Sequence, residues 1–272
     1  VAIAKMDQLI NAMIHKPTVY GKDTATNEAA GICHTPWYGT GVIGAGAAPT
    51  GALNGVNFTA TTTGQISSPA ALAGAISYLS KWTAVHTGGI GHLWLIDRLW
   101  GNVPVVTTTG SQAITEPTLP ARDESASTNG GGVFYALECS ATTGNAGTIS
   151  NTTIGYTNSV GTAGRTGTLS QSWPITGLTG TFIPFSMQAG DLGGRLATSI
   201  TLGTSYVSGA VHVMAYRVVA SMPVPNVNTG NDRDVFGLNM PYVWDSSVLQ
   251  LVYFTTGTTV GALSGELWYS QG

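Results

Sequence analysis

Charge is what this chain has least of. Its 272 residues hold 10 Lys and Arg and 13 Asp and Glu, 8% in all, where an ordinary soluble domain carries about 25%. Surface charge keeps a domain hydrated and its neighbours apart. A chain this poor in it either covers much of its surface with partners or wears a neutral coat of Thr, Ser, Asn and Gly. The deficit is deepest between Glu28 and Asp97, where no acidic residue occurs and Lys81 is the one Lys or Arg. A net charge of −3 and a pI near 5.9 leave no basic footprint for a phosphate backbone. Nucleic acid as the main partner and polybasic docking on a membrane are both excluded on that ground. Long apolar runs are missing too: none approaches the ~18 residues of a spanning helix. Lys5 and Asp7 stand where a signal peptide would be apolar, so the chain is expected to be cytoplasmic when made and to need no membrane. Cysteine is scarce. Cys33 and Cys139 lie far apart in apolar or strand-like contexts and are expected to be reduced, buried thiols, with a single long-range disulfide as the alternative. No fixed-period repeat occurs.

What is present argues for a folded chain. Disorder goes with low hydrophobicity and high charge, and here both are reversed: 43% of residues are hydrophobic, with seven Trp, ten Tyr and six Phe to anchor a core. Ile3, Met6, Ile10 and Met13 recur at helical spacing, with Leu9 and Ile14 widening the stripe, so a helix is expected near 2–15, stopped by Pro17. The following Gly, Ala and Thr-rich stretch reads as loop with short extended pieces. A second helix is expected over 69–86. Ser67 or Ser68 would cap it, Pro69 suits its first position, Leu72, Ala75, Ile76, Leu79 and Trp82 form one face, and Gly88 with Gly89 ends it. Residues 93–100 read as a strand. Beyond about residue 103 the chain becomes short β-branched and aromatic runs separated by Gly, Asn, Ser and Pro. Strands are expected at 133–140, 148–157, 181–187, 199–202, 211–221, 248–254 and 261–269. The last two would be joined as a hairpin through Thr255-Thr256-Gly257. The fold class is therefore mainly β: an α+β N-terminal region with two short helices over 1–102, then an antiparallel β-sandwich of jelly-roll type over 103–272.

Few residues form a chemical constellation. The run from Gly39 to Gly44 has the spacing of a dinucleotide-binding loop, but Gly46 and Pro49 follow it instead of a helix, and a flexible Gly/Ala loop is the better reading. His15, His34, His86, His92 and His212 lack zinc spacing, and His86 is expected to finish the second helix. No Gly-x-Ser-x-Gly elbow occurs. Asp123-Glu124 and the turn Asn231, Asp232, Asp234 are acidic; the turn is a candidate Ca²⁺ site without the glycine and distal Glu of an EF-hand, and a plain solvated turn is the simpler reading. Asp97-Arg98, set among apolar neighbours, needs partners, and Arg98 is expected to find a carboxylate inside the chain or on another subunit.

The opening residues from Ala2 to Ile10, the segment from Trp94 to Trp100 and the Thr/Gly-punctuated β region together resemble tailed-bacteriophage virion proteins, the small structural proteins encoded among head and tail genes. That resemblance implies a non-enzymatic virion part without cofactors, made in the host bacterial cytoplasm. The role implied is a capsid decoration or cement protein that contacts itself, as a trimer or ring, and other virion proteins such as the major capsid protein. Interface candidates are Ile3, Met6, Ile10, Met13, Trp37, Tyr38, Trp94, Arg98 and Trp100. A neck, tail or fibre-base protein is the alternative within the virion, and a carbohydrate-binding or glycan-cleaving sandwich the alternative outside it.

Overall fold

Strands that send successive side chains to opposite faces dominate the computed structural model, which covers residues 5–14, 16–23, 30–258 and 261–272. The elements in chain order are α1 (Met6–Ala12), β1 (Thr18–Asp23), β2 (Cys33–His34), β3 (Val56–Asn57), β4 (Ser77–His86), β5 (Gly91–Gly101), β6 (Ser111–Ala113), β7 (Val133–Ala141) and β8 (Thr153–Asn158). They continue as β9 (Arg165–Leu169), β10 (Phe182–Ser186), β11 (Gly194–Thr201), β12 (Ala210–Val224), β13 (Asn231–Arg233), α2 (Val235–Leu238), β14 (Tyr242–Val243), β15 (Leu249–Thr255) and β16 (Ala262–Gln271). The protein is mainly β and its strand pairs are antiparallel. Among the described residues no helix is long and apolar enough to cross a membrane.

Two sheets form. The smaller runs β1-β16-β4-β13, with β14 also on β4; the larger runs β2-β15-β5-β12-β7-β10-β9-β8-β11-β6, with β3 on β5. Both draw strands from either side of residue 102. The larger sheet turns a corner at β10, which pairs with β7 through Phe182–Pro184 and with β9 through Phe185–Ser186. The corner brings β8, β9 and β11 over β5, β7 and β12, enclosing a core that includes Leu99, Tyr135, Leu137, Ile154, Ile183, Ile200 and Val213. The smaller sheet lies on the other end of the same face. There Trp82, Leu263 and Leu267 meet Leu93, Leu95, Met222 and Leu251. The opposite face of the larger sheet is covered by N-terminal loops through Trp37 and Phe58, which meet Ile96, Met214, Tyr216 and Val252. β12 therefore has one face shared between two cores and the other under a third, which explains why 211–219 is apolar on both faces.

The structure corrects two expectations. The helix expected over 69–86 is the strand β4. Trp82, Ala84 and His86 are buried while Lys81, Thr83 and Val85 are partly exposed, a period of two. Leu72 and Ile76, expected on the same face as Trp82, lie exposed in the preceding loop. Aromatic and β-branched residues in 78–85 fit a pleated surface with β16 on one side and β13 and β14 on the other, and tertiary pairing outweighs the Ala-rich local signal. His86 ends no helix; its Nδ1 accepts from Gly89 N at 2.8 Å in the turn to β5. The expected final hairpin is also absent: β15 pairs with β2 and β5, and β16 with β1 and β4, so the chain crosses between sheets there. The first helix is described from Met6 to Ala12; Ile3 and His15 lie outside the described residues.

Candidate functional site

β5 is an interior strand of the larger sheet, between β15 and β12, and its two adjacent charged residues point to opposite faces. Asp97 sits where the face shared by β5 and β12 passes from one core to the next, opposite Arg217 in register. Its Oδ2 lies 3.4 Å from Arg122 Nε and 3.8 Å from Arg217 Nη2. It also accepts from Ser247 Oγ at 2.7 Å and from Val248 N at 2.8 Å. Burial lowers the pKa of both guanidinium groups, and the Asp97 charge opposes that shift.

On the other face Arg98 makes a two-pronged pair with Glu138, Nη1 to Oε1 at 2.7 Å and Nη2 to Oε2 at 2.9 Å. Its Cζ lies 4.3 Å from the Trp37 ring centre and 4.7 Å from that of Phe58. Tyr38 Oη donates to Glu138 Oε2 at 2.9 Å, and Gln250 accepts from Arg98. Burial works against the Glu138 charge, but the Arg98 guanidinium more than offsets it and holds the carboxyl below its usual range. The carboxylate that Arg98 required is thus in the same chain, not on a neighbour. Trp37, Arg98 and Trp100 are at most 1% exposed, so their side chains are committed to the interior rather than available to a partner. Trp94 is half-buried, its ring 4.4 Å from that of Phe254, and Tyr38 is half-buried above Glu138. Of the helical stripe, Met6 and Ile10 are about half exposed while Leu9 is buried, and Met13 forms a bridge to Ser270.

The other sequence candidates are dispersed. Asn231 Nδ2 donates to Pro223 O at 2.7 Å, Asp232 lies 3.9 Å from Lys81 at the surface, and Asp234 caps α2 by accepting from Phe236 N and Gly237 N, both at 3.1 Å. No Ca²⁺ cage forms from them, and among the described residues no group of three or more His, Cys, Asp or Glu could hold a metal. The glycine loop 39–44 turns carbonyls toward a buried lysine. Lys22 Nζ donates to the carbonyls of Trp37 and Gly39 at 3.2 Å and of Gly44 at 2.6 Å, the reverse polarity of a phosphate cradle. A Cβ on Gly39 would stand 1.7 Å from Asp23 O, so close backbone approach requires that glycine. Asp123 is occupied by its own loop, accepting from Ser125 N, Ser127 N, Ser127 Oγ, Gly130 N and Gly131 N. Cys33 and Cys139 are free and buried, and burial pushes both thiols up, Cys139 to about 12, which makes them inert.

Three features escaped the sequence reading. Glu138, Arg122 and Arg217 complete the buried pairs. Glu116 is 5% exposed beside a cavity of about 310 Å³ shared with Thr128 and Arg195; its Oε2 accepts from Tyr135 Oη and Ala197 N, its Oε1 has no hydrogen-bond partner among the described residues, and burial pushes its pKa up to about 8. Third, Tyr78, Tyr242 and Trp244 form an aromatic strip at the β4–β14 edge, with Tyr242 and Trp244 stacked at 5.4 Å and 8° and Tyr78 5.0 Å from Tyr242. That strip is pinned from below: Arg217 Nη2 donates to Tyr242 O at 3.1 Å, Trp244 Nε1 donates to Asp123 O at 3.3 Å, and Arg122 donates to Ser246 O.

No protein-family model and no curated protein sequence matches the chain. Among solved structures it is similar to the crystal structure of the infectious bursal disease virus VP2 subviral particle, with 10% identity, 94% of this chain and 81% of that chain covered, and a TM-score of 0.18. It is also similar to the structure of the Gx strain of infectious bursal disease virus, with 11% identity, coverage of 95% and 81%, and a TM-score of 0.16. At TM-scores this low neither the fold nor the role of those proteins transfers to this chain.

Proposed function

We propose that this chain is a non-enzymatic structural protein of a tailed-bacteriophage virion, a capsid decoration or cement protein built as a jelly-roll type sandwich. The observation that carries the reading is where the charge goes. Eight of the few charged side chains, Lys22, Asp97, Arg98, Glu116, Arg122, Asp123, Glu138 and Arg217, are buried, so the surface is poorer in charge than the composition alone implies. What it offers instead is neutral hydrogen-bonding groups and isolated apolar side chains, Met6, Ile10, Val160, Leu192 and Phe236 among them. Contacts of that kind hold at any salt concentration and can repeat over many identical sites. The test is quantitative mass spectrometry of purified particles of the phage that encodes the chain. A decoration protein is present in many copies per particle and a neck or tail protein in a single ring; absence from purified particles overturns the virion reading.

The aromatic strip favours a second reading, a glycan-binding module. Rigid, partly exposed rings on a sheet edge stack on the C–H faces of sugars at little entropic cost, and Asp245 and Ser246 line a cavity of about 210 Å³ beside Trp244. Binding rather than cleavage is the form this reading takes, because Asp123 serves its own loop and Asp232 stands at the surface beside Lys81. Tryptophan fluorescence titrated with chito-oligosaccharide and a glycan array, each repeated on Trp244→Ala, tests it; no glycan response in the wild type removes it.

A further inference from the structure

The antiparallel strands around the first core send their loops alternately to two ends, and the two ends differ in charge. The loops after β6, β8 and β10 contain or adjoin Glu116, Arg122, Asp123, Glu124, Arg165 and Asp191. The four loops at the other end, residues 102–110, 142–152, 170–181 and 202–209, contain no Asp, Glu, Lys or Arg. They form a single rigid pole. Tyr206 N donates to Val106 O at 2.9 Å, Gly203 N to Thr109 O at 3.2 Å, Gly144 N to Tyr206 O at 3.0 Å and Thr143 N to Gly177 O at 2.9 Å. From it project Val105, Ile175 and Val207, 52%, 58% and 58% exposed.

Two residues of the pole are also strained. Val207 has φ of 68° and Thr176 φ of 50°, left-handed backbone that β-branched side chains avoid. In Val207 that conformation is held by Ser205 Oγ, which accepts from its amide at 3.0 Å, and by Ser208 N donating to Tyr206 O at 2.8 Å. A neutral, well-solvated tip would favour Asn or Gly there. The structure instead carries an apolar side chain in a costly conformation on a surface from which charge is missing.

We propose that this charge-free pole is the surface through which copies of the chain meet around a rotation axis. Near such an axis each residue faces its own counterpart, so any charge placed there meets a like charge at short range. A pole without charge on four alternate loops avoids that repulsion, whereas contact with a different, charged partner would gain from complementary charge. The inference rests on the reading of the chain as an assembly subunit and names the face that subunits share.

The experiment is size-exclusion chromatography with light scattering on the full chain at low and high NaCl. It compares wild type with Val207→Asp and Ile175→Asp at the pole and with Leu192→Asp at the charged end, where Leu192 is 78% exposed. Expected are a wild-type oligomer of salt-independent mass, dissociation of both pole variants by about tenfold or more in concentration with partial recovery at high salt as the like charges are screened, and no change in Leu192→Asp. Val207→Asn is the control for folding. It relieves the left-handed strain, so its melting temperature is expected to rise while its association weakens. A monomeric wild type, or an oligomer untouched by the pole variants, overturns the proposal. An oligomer broken at the pole but absent from purified particles leaves this inference standing and removes the virion reading.

Discussion

Arg98 is gripped on all sides, by a carboxylate, an amide oxygen, a thioether 3.3 Å from Nη2 and two aromatic faces. Desolvating both ions costs several kcal/mol each, so the pair is felt most strongly when one member is taken away and the other stays buried. Arg98→Met leaves Glu138 charged and buried and is expected to lose about 3–5 kcal/mol in urea unfolding. Adding Glu138→Gln, which still accepts from Tyr38 Oη, is expected to recover about 2 kcal/mol or more; full additivity of the two losses would show that they do not act as a pair. Glu116 is the opposite case, a buried carboxyl without a cation. Its pKa is pushed up to about 8 from 4.5, so between those values the unfolded chain has released a proton that the folded chain still holds. Stability then falls as pH rises from 4.5 to 8, by about 1.4 kcal/mol for each pH unit, and levels off above. Glu116→Gln is expected to remove that slope and to be the more stable protein at about pH 8 by several kcal/mol, read by urea unfolding at a series of pH values across that window. Parallel pH profiles for the two proteins would show that Glu116 ionises normally.

Lys22 ties β1 to the N-terminal loop. Lys22 donates to three carbonyls in 37–44, and Asp23 N donates to Thr40 O at 2.8 Å, so the loop covers what would otherwise be an open sheet edge. Lys22→Met keeps the stem and removes the donors. Its expected cost is about 1–3 kcal/mol, with faster amide exchange confined to 37–46; unchanged exchange there would assign the loop's order to Trp37 instead. The elements read correctly from sequence were short β-branched or aromatic runs bounded by turn residues, such as 133–140, 181–187 and 211–221, and the uniformly apolar run 93–100. The segment 69–86 misled because an Ala-rich stretch runs into a strand in which Leu79 and Trp82 happen to fall three apart. The turn at 255–257 misled because a short linker does not reveal whether the chain returns to its own sheet or crosses to the facing one. The Arg98 partner was hidden by distance, since Glu138 lies two strands away across the sheet. The signal was nevertheless present in part: β7, β12 and β15 carry the buried polar residues Glu138, Arg217 and Gln250 in mostly apolar runs, and pairing those exceptions with Asp97 and Arg98 would have pointed to these partners, though not to Arg122 in its loop.

At the scale of the whole molecule the charge deficit becomes an arrangement. Part of the charge goes to the two faces of β5 and to the end of the first core where the loops after β6, β8 and β10 gather, part to α1 and the smaller sheet with its adjoining loops, and one pole receives none. The buried pairs, 2.7–2.9 Å for Arg98 with Glu138 and 3.4–3.8 Å for Asp97 with Arg122 and Arg217, are scarcely screened by salt, because screening acts on charges separated through solvent. The exposed pair of Lys81 and Asp232 at 3.9 Å contributes little at any ionic strength. A fold held by apolar cores and internal ion pairs is therefore expected to keep its melting temperature within about 2 °C between dilute buffer and about 1 M NaCl, and to gain stability in sulfate, which strengthens apolar burial. Differential scanning calorimetry at both salt concentrations decides this. A fall of many degrees in NaCl would show that surface electrostatics hold the structure, and the neutral surface would then lose its explanation as one relieved of that task.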